Sequence, residues 1–255
     1  MVANAEQWTV VFQPQAETHF RLFCFPYAGA GAVAYRTWGT ALPQAEVCAI
    51  RLPGRETRLR EEPYTRMEPL VAALTDALLP MMDAPFAFFG HSMGSVLSFE
   101  VARRLRQLGY PLPLHLFASA WPAPQIGRAF PPISTLPDTD FVKGIQQRYG
   151  GIPAAILAEP DLLQIFIPIL RADLSVMETY RYAAEPPLPC SISAYGGDQD
   201  TATTPDTLSA WGEQTTDFWD THFFQGGHFY LQSQQSVLLR QLHGDLDQVL
   251  QLNDL

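Results

Sequence analysis

The chain has 255 residues, 47% apolar and 16% charged, with a net charge of −10. That is apolar enough for a substantial core and excludes a disordered chain. The acidic balance argues against general nucleic-acid binding, which needs clustered Lys and Arg, and against electrostatic attachment to an anionic membrane.

The N-terminus lacks a basic segment followed by a long apolar stretch, so no signal peptide is expected. No window approaches the ~18 uninterrupted apolar residues of a membrane span. A cytoplasmic location is the expectation. Short β-rich runs start at residues 9–12, a candidate antiparallel edge strand, and 21–25, and recur at 47–51, 86–89, 114–119, 191–195 and 221–224. Several are apolar throughout, as strands covered on both faces are. Amphipathic stretches at 67–81, 95–108 and 233–250 lie between or after them, which predicts an α/β fold with a mostly parallel sheet flanked by helices. Cys24 and Cys48 fall inside strands; with Cys190 they make an odd count without a CxxC pair, read as buried free thiols in a reducing compartment. The alternation lapses over about 121–187, where Pro-rich loops and helical segments at 140–149 and 161–180 replace it. We expect a helical lid there, inserted within a single domain spanning residues 1–255. The odd cysteine count and the lack of an extended apolar seam make a monomer the default.

In "FAFFGHSMGS" an apolar strand runs into Gly-His-Ser-Met-Gly and a helical pattern follows at once. That is the context of a nucleophile elbow, in which the tight turn lifts the Ser92 hydroxyl above the sheet and the helix aims its first N–H groups at the same point. A serine nucleophile needs a base, and the base an orienting carboxylate. In the α/β-hydrolase arrangement they follow in the order Ser, Asp or Glu, His. "QGGHFYL" places His228 in a loop between the last strand and the last helix. "GGDQD" offers Asp200, at the Gly-x-x-Asp spacing from Gly197, and Asp198 as the alternative acid or a turn former. An oxyanion hole would use the backbone N–H of Met93 and one from the loop "CFPYAGAGA", with Ala28 as donor and Tyr27 shaping the wall. "AGAGA" lacks the Lys and Ser/Thr of a phosphate loop. His91 adjoins the nucleophile with its side chain expected to turn away.

"FPYAGAG", "RLPGRETR", "FGHSMG", "ILRADLSVMETY", "YGGDQD" and "GGHFYL" together make nearly the whole chain resemble the type II thioesterases that accompany polyketide synthases and nonribosomal peptide synthetases. The resemblance implies an α/β-hydrolase fold with a helical lid. It also implies hydrolysis of aberrant or stalled acyl groups on the phosphopantetheine arm of acyl or peptidyl carrier proteins. Ser92, Asp200 and His228 then form the triad, and Ala28 and Met93 the oxyanion hole. No cofactor or metal is implied, because the phosphopantetheine belongs to the partner. The same triad would serve an acyl-CoA thioesterase or a small-ester hydrolase. A non-catalytic carrier-binding protein is the alternative of another class, disfavoured by the elbow.

Two further features stay open at the level of sequence. Arg51, Arg55, Arg58 and Arg60 fall within ten residues and form either a docking patch for the carrier or a solvated, internally paired loop. Leu170, Leu174 and Met177 recur at helical spacing, either as a lid wall of the acyl channel or as plain core. Arg171 and Asp173 read as structural pairs, and "YGGIPAAIL" as a mobile stretch near the entrance.

Overall fold

The computed structural model describes residues 5–255. Seven strands make one sheet: β1 (Thr9–Val11), β2 (Arg21–Phe25), β3 (Glu46–Ile50), β4 (Phe86–His91), β5 (His115–Ser119), β6 (Ser191–Gly197) and β7 (Trp219–Phe224). Their order is β1-β3-β2-β4-β5-β6-β7. β1 runs antiparallel to β3, and every other neighbouring pair is parallel. The sheet therefore has the expected edge strand and the α/β-hydrolase layering.

Successive strand residues point to opposite faces, and the aromatic runs use this to make two cores. On one face Phe23 and Phe25 meet Phe88 at ring distances of 5.9 and 5.0 Å, under the helices Met67–Leu78 and Met93–Leu108. On the other, Phe89 packs against Trp38 at 4.8 Å, with the helix Gln235–Leu252 contributing Leu238, Leu242 and Leu246. β4 is buried at every position, which is why its sequence shows no alternation.

Chain order reverses at β2 and β4. From β2 the chain steps outward to β3, then returns across β2 to β4 and continues the other way. The crevice beyond the carboxyl ends of these two strands is where an open parallel sheet offers a ligand site. It receives the loop after β2 and the turn after β4.

Between β5 and β6 the lid region folds as three helices, Asp138–Arg148, Ala154–Leu157 and Pro160–Thr179. It has its own small core of Ile133, Phe141, Ile145, Ile152, Ile167 and Leu170. Elsewhere two expected helices are interrupted. The stretch 67–81 ends as an α-helix at Leu78, because Pro80 has no N–H to continue the ladder and a 3-10 turn, Leu79–Met81, follows. The last helical stretch divides at Gln234 into Tyr230–Ser233 and Gln235–Leu252. Among the described residues no helix is long and apolar enough to cross a membrane.

Candidate active site

Ser92 joins β4 to the helix Met93–Leu108 with φ 54° and ψ −115°, a backbone that L-residues rarely hold outside functional turns. Its N–H donates to the Ser119 carbonyl at 2.7 Å, which ties the strained residue to β5. The flanking glycines are required by close approach. A Cβ on Gly90 would lie 2.1 Å from the Gly94 oxygen, and one on Gly94 would lie 2.2 Å from the Phe25 oxygen. Only bare backbone lets the strand reverse into the helix and lets that helix start against β2.

His228 reaches the elbow from the loop after β7, and Asp200 from the loop after β6. A Cβ on Gly197 would meet the Gly226 and Gly227 oxygens at 2.4 and 2.6 Å, so these two loops touch backbone to backbone. The result is a hydrogen-bonded row: Ser92 Oγ to His228 Nε2 at 2.9 Å, and His228 Nδ1 to Asp200 Oδ2 at 2.8 Å. A carboxylate only accepts, so Nδ1 carries the proton and Nε2 presents its lone pair to the serine hydroxyl. Asp200 is held in turn by the Ala202 N–H at 2.8 Å and the Thr203 hydroxyl at 3.1 Å. Asp198 points elsewhere, accepting from the Gly226 N–H at 2.8 Å as a loop former.

Sequence reasoning saw in His91 only a neighbour turned away. It is turned away from the hydroxyl, and it holds the base: its Nε2 lies 3.0 Å from the His228 carbonyl and its Nδ1 2.7 Å from Ser119 Oγ. The carbonyl can only accept, so Nε2 donates, Ser119 donates to Nδ1, and Tyr230 donates to Ser119 at 2.5 Å. Burial, with His228 close by, pushes the His91 pKa well below its ordinary value, which keeps this ring neutral as the row requires. Only the position of His91 beside the nucleophile hinted at this role.

Two backbone donors face the same crevice. The Met93 N–H sits in the first turn of its helix, where the helix supplies no acceptor. In the loop after β2, the Gly29 N–H is taken by Asp173 at 2.7 Å and the Ala30 N–H by the Tyr27 carbonyl at 3.0 Å. Among the described residues the Ala28 N–H has no acceptor within the protein. A cleft lined by Ala28, Met93, Ser92 and His228 opens here, roofed by lid residues. Ile145, Tyr149, Gly151, Leu170, Leu174 and Met177 of the segment between β5 and β6 complete its lining. Tyr149, from the lid, lies 4.9 Å from the His228 ring, and burial pushes its phenol up to about 12.

Comparison with known proteins gives this geometry a family. The thioesterase-domain family matches residues 20–246. Gramicidin S biosynthesis protein GrsT of Aneurinibacillus migulanus is 39% identical over 90% of each chain. The RedJ thioesterase of the prodiginine pathway in Streptomyces coelicolor is 38% identical, covering 91% of this chain and 94% of that one, with a TM-score of 0.84. The type II thioesterase BorB of the borrelidin cluster is 34% identical, covering 91% and 93%, with a TM-score of 0.80. The chain belongs to the thioesterase family. It is an enzyme of the serine-hydrolase type with the α/β-hydrolase fold.

The remaining predicted residues divide sharply in this thioesterase. Tyr27, Leu170, Leu174 and Met177 all line the cleft, and Leu170 also belongs to the lid's own core, so channel and packing readings both hold for that stripe. The arginine patch does not survive as drawn. Arg55 is buried and grips Asp173 of the lid through two bonds, at 2.8 and 2.7 Å, while also donating to the Ala30 carbonyl at 2.8 Å. Arg58 is buried too, paired with Glu61 at 2.6 Å and lying 4.2 Å over the Trp8 ring. Arg51 donates to the Glu6 and Gln7 carbonyls, and of the four only Arg60 is exposed. A charge spent inside the fold is not free for docking, which removes Arg55 and Arg58 from any contact surface. Asp173 pairs with Arg55, while Arg171 pairs with Asp138 at 2.6 Å. Asp173 thus binds the lid helix both to the loop after β3 and to the residue next to Ala28. Sequence reasoning could not see that link across 118 residues.

All three cysteines are buried and unpaired, as expected. Among the described residues no group of three or more His, Cys, Asp or Glu is placed to hold a metal.

Proposed function

We propose that this thioesterase hydrolyses acyl groups from the phosphopantetheine arm of carrier proteins, clearing aberrant or stalled chains in polyketide or nonribosomal peptide synthesis. The observation that carries the reading is the unbroken row from Ser92 Oγ through the His228 imidazole to Asp200, at the floor of a lid-covered cleft. The family of its relatives supplies the substrate class.

In this reading Ser92 attacks the thioester carbonyl while His228 Nε2 takes its proton, and Asp200 stabilises the imidazolium. The Ala28 and Met93 N–H groups hold the oxyanion of the tetrahedral intermediate. Collapse breaks the C–S bond, and the leaving sulfur receives the proton from His228. Water then enters, gives a proton to His228 and attacks the acyl-serine. The carboxylic acid departs as Ser92 regains its proton. The chain needs no cofactor of its own for this, because the phosphopantetheine arrives on the partner.

Parallel rates on one acyl group carried by a carrier protein, by coenzyme A and as a simple ester test the proposal. It expects the highest kcat/KM on the carrier, with Ser92→Ala inactive yet still carrier-binding. Equal or better turnover of the simple ester would contradict it.

A further inference from the structure

Trp121 and Met177 line the cleft above Ser92 on one side. These two side chains also line a second groove of about 310 Å³, together with Arg128 and Arg181. A narrow space shares Tyr149, Leu174, Trp121 and Met177 with the cleft and adds Arg128 and Arg148. Three cations therefore stand just outside the walls that face the nucleophile.

None of the three pairs with a carboxylate among the described residues, unlike Arg55, Arg58, Arg103, Arg106 and Arg171. They are oriented by carbonyls instead. Arg128 Nη1 and Arg181 Nη1 both donate to the Glu178 carbonyl, at 2.5 and 2.9 Å, which holds two guanidinium groups side by side. Arg148 donates to the Pro131 carbonyl at 2.7 Å and lies 5.3 Å over the Phe130 ring. The Glu178 carbonyl is in the last turn of the lid helix, whose dipole offers only about half a negative charge. The Glu178 carboxylate is directed to the Ile133 N–H at 2.6 Å and to the Ser134 N–H and hydroxyl. A net positive charge is left over, in a chain whose overall charge is −10. Arg148 and Arg128 counter the rise of the Tyr149 phenol through burial, while Asp200 and Glu178 add to that rise.

We propose that this groove is a phosphodiester subsite. Arg128 and Arg181, with Arg148 beside them, hold the phosphate that joins a phosphopantetheine arm to its carrier protein, and the arm runs inward past Trp121 and Met177 to Ser92. The inference rests on the function proposed above and adds where the partner's anion sits. It also gives an acidic enzyme a local contact for an anionic arm, where overall charge gives no attraction. Guanidinium groups suit this task because they present paired N–H donors to phosphate oxygens and stay charged.

The test presents one acyl group on pantetheine, on 4′-phosphopantetheine, on a carrier protein and on coenzyme A. Wild-type kcat/KM should be about tenfold higher on acyl-phosphopantetheine than on acyl-pantetheine, mainly through KM, as expected for charge-assisted hydrogen bonds. Arg128→Ala with Arg181→Ala should bring that ratio close to one and lower kcat/KM on the acyl-carrier in step. Arg128→Lys with Arg181→Lys should recover most of the ratio, because the charge returns. Arg240→Ala, on the last helix, should keep the wild-type ratio. Arg128 and Arg181 are exposed, so thermal unfolding of the variants should match the wild type. A wild-type ratio near one, or a ratio that the double alanine variant leaves unchanged, overturns the subsite. A loss confined to acyl-coenzyme A, with the acyl-carrier unaffected, overturns the choice of occupant. If the wild type turns over none of the four thioesters, the carrier-bound one included, the proposed function falls and takes the subsite with it.

Discussion

The two ends of the sheet both gather serine, histidine and aspartate side chains. Beyond the carboxyl ends of β4, β6 and β7, one imidazole bridges Ser92 and Asp200. Towards the opposite ends of β5, β6 and β7, His115 Nε2 lies 2.8 Å from Ser193 Oγ, and His222 Nε2 lies 2.7 Å from Asp220 Oδ2. The residue types are the same, but the second group has its histidines on the wrong partners: no single ring connects serine to carboxylate. Ser193 sits within a strand, whose ladder uses the neighbouring N–H groups, while Ser92 sits at a helix start with unclaimed donors. Asp220 is held below the ordinary carboxylate range. Its burial opposes this, and hydrogen bonds from His222 and Ser193 outweigh the opposition. A reaction site is thus a matter of strand ends, strained turn and free donors, more than of which side chains meet.

The sharpest way to break this comparison is to remove each serine. Ser92→Ala should cut kcat by roughly 10⁴-fold or more, as loss of a serine nucleophile does. Ser193→Ala should leave kcat/KM within about twofold, in the range expected away from the reacting atoms. Steady-state rates on an acyl-pantetheine thioester read both, and a large loss from Ser193→Ala would erase the distinction between the two ends.

Next comes the carboxylate. Asp200→Asn should lower kcat by roughly 10³–10⁴-fold, because His228 then loses its tautomer and the support for its charged form. Asp198→Asn should cost at most about 1 kcal/mol of stability, through one loop hydrogen bond, with kcat little changed. If Asp198→Asn were the damaging change, the acid would be the other aspartate.

Stability separates the lid link from both clusters. Arg55→Ala leaves Asp173 buried without its cation and should cost about 3–5 kcal/mol in urea unfolding. Arg60→Ala, at an exposed position that makes no ion pair among the described residues, should stay within about 0.5 kcal/mol.

The last test is in pH. Burial holds the His115 pKa at about 4, below its ordinary 6.5, so the unfolded chain takes up a proton that the folded one refuses. The stability contribution of the neutral ring is complete above about pH 6.5 and is lost as pH falls towards 4. Unfolding free energies across that window should fall less steeply on acidification in His115→Gln, by up to about one proton's worth of slope. An unchanged slope would show that the ring protonates freely in the folded state.

How much of this was legible beforehand depends on the range of the interaction. The G-x-S-x-G turn is local: an apolar strand, two glycines and a helical pattern within a dozen residues report it. His228 and Asp200 were readable because each follows a strand in a known order. His91 was read correctly as turned away, but its hold on the loop of His228 was not legible, since its partners, the His228 carbonyl and Ser119, are 137 and 28 residues away. The arginine loop stayed open between docking and internal pairing for the same reason. A run of arginines looks solvated until Asp173, from the lid, and Trp8, from the N-terminal edge, close over it.

The amino-acid order by itself determined the alternation of strands and helices, the elbow and the three side chains of the hydrogen-bonded row, because periodicity, tight turns and strand order are legible along the chain. Only the tertiary structure decided which arginines remain free of carboxylates, which residues of the inserted helices line the cleft, and which serine–histidine–aspartate group faces it. Those outcomes depend on desolvation and pairing between segments far apart in the chain, and such energies exist only once the sheet, its loops and the lid are assembled.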